Sequence, residues 1–428
     1  MKNEICSKIG VSEKIYDFVI KAETELHETF KANDEIMEYC QFKVLSSMRD
    51  TKLSAVHFNG ATGYGYGDMG RDKIEEIFSN IFCTEDSLVR TSIVSGTHAI
   101  FLGLSALLKH GDTLLSISGT PYDTIRRAIG ISGNEKNSLI ACGVKYDEAD
   151  LIGDDFDIDL ILEKVKKNPK LVMIQRSTGY SERNAISIEK MERVISFIRA
   201  SGYEGIIFVD NCYGEFTEKK EPTEVGADIV CGSLIKNLGA GIAVSGGYIC
   251  AKAPLISEIA DRLTAPGLGK ELGLSYGTSR SVLTGLFYAP QAVNSAKKTA
   301  VLFASCFRKL GFKVFPDENY KRSDIVESIV LGSPKALLEF CKGVQEMSAV
   351  DSFVTPEPWD MPGYSDKVVM ASGSFIDGSS IEISADAPIR EPYIVYFQGG
   401  LNFMQGKLAL MKVLQNLCSS GIIKSEFF

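Results

Sequence analysis

The stretch Val230-Cys231-Gly232-Ser233-Leu234-Ile235-Lys236-Asn237-Leu238-Gly239-Ala240-Gly241 sets one lysine between a short apolar run and a series of small residues. Upstream, Gly205-Ile206-Ile207-Phe208-Val209-Asp210-Asn211-Cys212-Tyr213 is a second apolar run, and this one ends in an acid. Runs of this length and character are strands buried on both faces of a sheet. A lysine flanked by Leu234, Ile235 and Leu238 is partly desolvated, and desolvation lowers an amine's pKa toward the neutral form that attacks a carbonyl. Each residue alone has a plainer reading, since lysines after strands usually lie in solvent and an acid at a strand end often caps a turn. In this order, they point to Lys236 as the Schiff-base lysine of pyridoxal 5'-phosphate (PLP) and to Asp210 as the acid that keeps the cofactor's ring nitrogen protonated.

Around this pair, short apolar strands alternate with helical segments. Strands are expected over 88–94, 113–117, 171–174, 205–209, 229–233 and 246–251, and helices over 99–108, 124–131 and 188–200. Such alternation predicts an α/β fold with a mostly parallel sheet and helices on both faces. Ligands in such sheets bind beyond the carboxyl ends of the strands. Residues 11–50 carry helical spacing on a charged background, and residues 1–50 are expected to form an N-terminal helical arm. A large domain then covers 51–300, and a smaller α+β domain covers 301–428.

Other candidates follow the strand ends. Ser95-Gly96-Thr97-His98-Ala99 lies between a strand and a helix, so the amides of Gly96 and Thr97 would face an anion from a helix N-terminus, with Ser95 as cap. Ser233 can add a hydroxyl to the same anion. Tyr122 follows the next strand and can stack on a flat ring; its plainer reading is a turn tyrosine capping the core. Tyr213, three residues after Asp210, would bring a phenol toward the cofactor's ring oxygen. Arg390, in a proline-flanked loop, is the expected bidentate clamp for an amino-acid carboxylate, or else a salt bridge to Glu391 or Asp386; Arg176 is the other arginine considered for the clamp.

The glycine-rich segment Asn59-Gly60-Ala61-Thr62-Gly63-Tyr64-Gly65-Tyr66-Gly67-Asp68-Met69-Gly70-Arg71 contains a formal G-x-G-x-x-G. A dinucleotide fingerprint needs a strong strand before it and an acid about 20 residues later. Val56-His57-Phe58 is a poor strand and residue 90 is an arginine, so the segment reads as a loop before a helix.

Composition narrows the field. The chain has 428 residues, 45% of them hydrophobic, and a formal net charge of −9. That balance, without basic runs, disfavours nucleic acid or anionic membrane as a partner. Ten scattered cysteines with no Cys-x-x-Cys pair read as reduced thiols of a cytoplasmic protein. No stretch reaches the roughly 18 apolar residues of a membrane span. The four histidines lack metal-site spacing, so no metal is expected.

Taken together, Ser95-Gly96-Thr97-His98-Ala99, Pro121-Tyr122-Asp123-Thr124, Gln175-Arg176-Ser177-Thr178-Gly179, Val209-Asp210-Asn211-Cys212-Tyr213-Gly214-Glu215 and Gly232-Ser233-Leu234-Ile235-Lys236-Asn237 resemble fold type I PLP enzymes. The nearest resemblance is to the methionine gamma-lyase-like family linked by name with aluminium resistance, related to cystathionine beta- and gamma-lyases. The resemblance implies PLP bonded to Lys236, Asp210 on the ring nitrogen, Tyr122 stacked on the ring, and Ser95, Gly96, Thr97 and Ser233 around the phosphate. It also implies a homodimer or homotetramer in which a loop of the neighbouring subunit contacts the phosphate, here Tyr64, Tyr66 and Arg71. Gln175-Arg176-Ser177-Thr178-Gly179 stands where the related lyases carry a Pro-Thr-Asn-Pro type turn, so the pocket departs from theirs.

The expected activity is a carbon–sulfur lyase performing α,β- or α,γ-elimination on a sulfur-containing amino acid. The cofactor also permits transamination, aldol cleavage or sulfhydrylation. A PLP-binding stress protein without turnover is the alternative outside enzymology.

Overall fold

The computed structural model describes residues 1–361, 364 and 366–428, and these divide into two compact units. One comprises Tyr39–Ser181 with Ala185–Ala289; the other comprises Met1–Glu38, Glu182–Asn184 and Pro290–Phe428. The N-terminal helices Lys2–Ile9 and Glu13–Glu25, expected above as part of an arm, thus belong to the same unit as the C-terminal segment.

In the first unit the strands run β1 (Asp86–Arg90), β2 (Thr113–Ser116), β3 (Lys145–Glu148), the small hairpin β4 (Leu151–Ile152) and β5 (Asp155–Phe156), β6 (Leu171–Gln175), β7 (Ile206–Asp210), β8 (Ile229–Ser233) and β9 (Gly247–Ala251). Seven of them form a sheet in the order β1-β9-β8-β7-β6-β2-β3. The run from β8 through β7, β6 and β2 to β3 is parallel. β9 runs antiparallel to both neighbours, so β1 and β8 point the same way and their carboxyl ends share the edge used by the parallel strands.

The strand sequences explain the layering. Along β6, Leu171 and Met173 face one core while Val172 and Ile174 face the other. Along β7, Phe208 faces the first core and Ile207 and Val209 the second. This is the period-2 pattern of strands covered on both faces. Helices Gly96–Leu107 and Ala253–Leu263 supply the first cover, and helices Ile158–Val165 and Ile188–Ala200 the second.

The second unit holds β10 (Lys313–Phe315), β11 (Val326–Val330), β12 (Val368–Ser372), β13 (Ile383–Pro388) and β14 (Ile394–Gly399), an antiparallel sheet in the order β10-β11-β14-β13-β12. One face is apolar: Ile329, Val395, Phe397, Ala385 and Val369 join the helices Glu13–Glu25, Pro334–Glu346 and Phe403–Ser419 in one core. Ile15, Val19 and Ala22 belong to that core, which is why the helix Glu13–Glu25 packs there.

Helix Gly96–Leu107 lies so close to the first sheet that a Cβ at Gly103 would come within 2.7 Å of the Phe208 ring. Gly103→Leu is expected to lower stability by about 1–3 kcal/mol through overpacking. Thermal unfolding checks it, and the further loss caused by Gly103→Leu is expected to be smaller in a Phe208→Ala background than in the unchanged protein; equal melting temperatures for Gly103→Leu and the unchanged protein would contradict the close packing.

Candidate active site

Five segments reach the carboxyl edge of the first sheet, and each follows a strand. After β1, Ser95 takes an extended conformation and its Oγ accepts from the His98 amide at 3.1 Å, capping helix Gly96–Leu107. Helix geometry leaves the next amides, those of Gly96 and Thr97, without an intrahelical acceptor. After β2, Tyr122 precedes helix Asp123–Ile129, its amide donates to Gln175 Oε1 at 2.7 Å, and its ring meets that of Tyr180 edge-on at 5.2 Å. The hydroxyls of Thr97 and Thr124 lie 3.0 Å apart and tie these two helix starts together.

β7 ends on Asp210, which is 6% exposed and accepts from the Cys212 amide at 3.1 Å. β8 ends on Ser233, which is buried, and its hydroxyl accepts from the Ile235 amide. Lys236 follows, with Nζ 3.9 Å from the centre of the Tyr213 ring. A Cβ at Gly96 would come 3.1 Å from Cys212 Sγ and 3.2 Å from Ser233 Cβ, so the ends of β1, β7 and β8 converge on one small space. Ser95, Gly96, Thr97, Ser233, Asp210, Tyr213 and Lys236 are therefore assembled from three strand ends.

The electrostatics differ from the expectation for the amine. Burial does press Lys236 toward its neutral form, but at the high pH where the amine titrates Cys212, Tyr213 and Asp210 around it are ionised and outweigh that, so the ammonium is held above its ordinary range. Burial pushes the Asp210 carboxyl up, with Lys236 and the Cys212 amide working the other way. Burial likewise pushes the Cys212 thiol well above its usual value, so it is a neutral neighbour rather than a thiolate. Lys236 must lose a proton before it can attack a carbonyl, and as an ammonium it can give one up.

Arg176, weighed above as a carboxylate clamp, has a different place. It is fully buried beyond the end of β6. Its guanidinium donates to Asn211 Oδ1 at 2.8 Å, to Gly214 O at 2.9 Å and to Glu218 Oε1 at 3.0 Å, and lies 3.7 Å from Glu221. Glu221 in turn accepts from Asn211 Nδ2 and from the Phe216 amide. The network fixes the loop after β7, in which Tyr213 has a φ of 70°, a conformation costing about 1–3 kcal/mol outside glycine. Arg176 thus positions Asp210 and Tyr213.

Arg71 is also turned inward. It is buried, and its Nη1 donates to the carbonyls of Gly65, Glu271 and Gly273. Arg90 donates to the carbonyls of Leu272 and Lys270 from the other side. The glycine-rich loop they brace presents Tyr64 and Tyr66 outward, 76% and 66% exposed. Arg390 lies in the second unit and pairs with Asp366 at 3.0 Å, rather than with Glu391 or Asp386. Sequence reasoning passed over Glu215, Glu218, Glu221, Asn237 and Tyr248. The three glutamates at three-residue spacing directly after the Asp210 strand are the available signal.

The donor set suits PLP. It offers an amine, a buried acid, aromatic rings, and a helix start beside a hydroxyl where a phosphate's charge is matched.

A family model described as methionine gamma-lyase matches residues 15–418. The chain belongs to the methionine gamma-lyase family. Members of this family use PLP. Among its relatives, the uncharacterised protein YnbB of Bacillus subtilis is 41% identical over 406 residues, 94% of this chain and 96% of YnbB. A solved structure named as a carbon-sulfur lyase involved in aluminium resistance, from Clostridium novyi, is 42% identical, covers 97% of this chain and 98% of its own, and superposes with a TM-score of 0.93. Another, from Clostridium acetobutylicum, whose name proposes a cystathionine beta-lyase involved in aluminium resistance, is 46% identical over 97% of this chain and 98% of its own, with a TM-score of 0.94. Within the family fold, the mixed, mostly parallel sheet and the separate smaller sheet are those of fold type I PLP enzymes.

Arg176→Met removes the guanidinium that the buried Glu218 and Glu221 face. The expected loss is about 3–5 kcal/mol, read as a lower denaturation midpoint, and adding Glu218→Gln and Glu221→Gln is expected to restore part of it. An unchanged midpoint in Arg176→Met would contradict the structural role.

Proposed function

We propose that this chain is a PLP-dependent carbon–sulfur lyase that eliminates a thiol from the β or γ carbon of a sulfur-containing amino acid. The observation that carries the reading is Lys236, one turn beyond β8, with its ammonium over the Tyr213 ring and in the field of buried Asp210. PLP, when bound, supplies an electron sink for negative charge at the substrate's α carbon.

The chain's residues supply the rest. Ser95, Gly96, Thr97 and Ser233 would hold the phosphate, the first three at a helix N-terminus where negative charge is favoured. Tyr122 would stack on the ring, Tyr213 would lie toward its phenolic oxygen, and Asp210 would keep a proton on the ring nitrogen. Lys236 takes the proton from the substrate's α carbon and delivers a proton to the departing sulfur. An amine held above its ordinary range suits the second of these tasks. Arg390, ion-paired with Asp366 and half-exposed, is the proposed carboxylate clamp.

The same reading makes the chain a homodimer or homotetramer. Tyr64 or Tyr66 of one copy, standing out from the loop that Arg71 braces, would approach the phosphate of the next.

The test is to incubate the PLP-loaded protein with a panel of sulfur amino acids and to assay 2-keto acid, ammonia and thiol together. Equal amounts of all three are expected with at least one substrate, and Lys236→Ala is expected to cut turnover by about 10³-fold. Transfer of the amino group to an added keto acid without thiol release would replace the lyase reading with transamination. No turnover and no substrate-dependent spectral change would replace it with a binding role.

A further inference from the structure

Beneath the Lys236 turn lies an acid that the reaction above does not use. Glu215 is wholly buried, two residues after Tyr213 in the loop that Arg176 holds. Its Oε1 accepts from the Tyr248 hydroxyl at 2.8 Å. Tyr248 sits on β9 directly opposite Gly232 on β8, four residues before Lys236. A Cβ at Gly232 would come 2.7 Å from Glu215 Oε1 and 2.9 Å from the Tyr248 hydroxyl, so the acid–phenol pair lies against the strand that ends in Ser233. The backbone carbonyl of Glu215 accepts from Asn237 Nδ2 at 3.0 Å, and Asn237 directly follows Lys236. One residue therefore grips the strand before the lysine and the turn after it. Glu215 Oε2 and Asn237 Oδ1 are both buried with no hydrogen-bond partner among the described residues.

We propose that Glu215 is a positioning residue for Lys236, working as a neutral carboxylic acid that clamps β8 and the Lys236 turn to the Tyr213 loop. A carboxylate here would leave one oxygen as an uncompensated buried charge, whereas the neutral acid carries a proton on it. Burial pushes the Glu215 carboxyl up to about 8, with the Tyr248 hydrogen bond and Lys236 pulling down and Glu221 adding to the rise. The other ionisable groups facing it are the thiols of Cys212 and Cys231, both neutral at ordinary pH, and its own partner Tyr248, whose phenol is raised by burial and by Glu215. Arg176 lies against Gly214, the preceding residue, and compensates Glu218 and Glu221. Below about pH 8 Glu215 is neutral; above it the acid becomes a buried anion that favours positive charge at Lys236.

The inference rests on PLP being carried by Lys236, and its test separates the two. The absorbance band of the PLP-loaded protein is titrated from pH 6 to pH 10, the range set by the acid near 8, in the unchanged protein and in Glu215→Gln, Glu215→Ala and Tyr248→Phe. Glu215→Gln preserves the shape and the neutral state; the band at neutral pH is expected to stay, while the alkaline midpoint falls by about one pH unit and the titration becomes a single step. Glu215→Ala and Tyr248→Phe open the clamp, and cofactor loss on dialysis is expected to quicken about tenfold; Tyr248→Phe keeps this reading available if Glu215→Ala does not fold. A Glu215→Gln titration identical to that of the unchanged protein would overturn the role of Glu215 while leaving PLP on Lys236 intact. No cofactor band in the unchanged protein would instead overturn the reading on which it rests.

Discussion

A guanidinium without access to water organises the edge of the sheet where the candidate site lies. Arg176 leaves the end of β6 and meets Asn211, Gly214, Glu218 and Glu221 on the loop after β7. Parallel strands end together, and the backbone that continues from them has no ladder partner, so something else must satisfy its polar groups. Here that is one buried cation with two buried acids, an arrangement costly to break and therefore stiff. Because the loop is stiff, Tyr213 stays in a left-handed conformation and Lys236 stays over its ring.

The fold, and the segments that converge at the candidate site, are legible because strong local signals carry them. Apolar runs of five or so residues separated by helical segments announced the parallel sheet, and Lys236, Asp210, Gly96 and Tyr122 stood out by following those runs. The direction of β9 was not legible: Gly247–Ala251 reads like any buried strand, and its antiparallel pairing with β8 and β1 is set by where the chain returns, not by its composition. The balance of charge at Lys236 is not legible in the sequence: apolar neighbours announce desolvation, whereas the opposing groups, Cys212, Tyr213 and Asp210, come from another strand and the loop after it. Arg71 and Arg176 drew attention as ligand arginines because an arginine's partners cannot be seen in one dimension. Both satisfy backbone carbonyls instead.

Membership of the methionine gamma-lyase family gives PLP as the cofactor, and the residues gathered at the candidate site suit it. The substrate is a finer matter, decided by the side chains that line the pocket. The segment Gln175-Arg176-Ser177-Thr178-Gly179 is part of that difference. Gln175 holds the Tyr122 amide and Arg176 holds the Tyr213 loop, so this turn supports both aromatic residues flanking the proposed cofactor. Among the described residues no helix is long and apolar enough to cross a membrane.

The central claim is that Lys236 carries PLP, and peptide mapping after borohydride reduction tests it most directly. The protein is incubated with PLP, reduced, digested and analysed by mass spectrometry. The account predicts a phosphopyridoxyl group on Lys236, lost in Lys236→Ala. A label on a different lysine, or an unlabelled Lys236 in a protein that has been offered PLP, would contradict it.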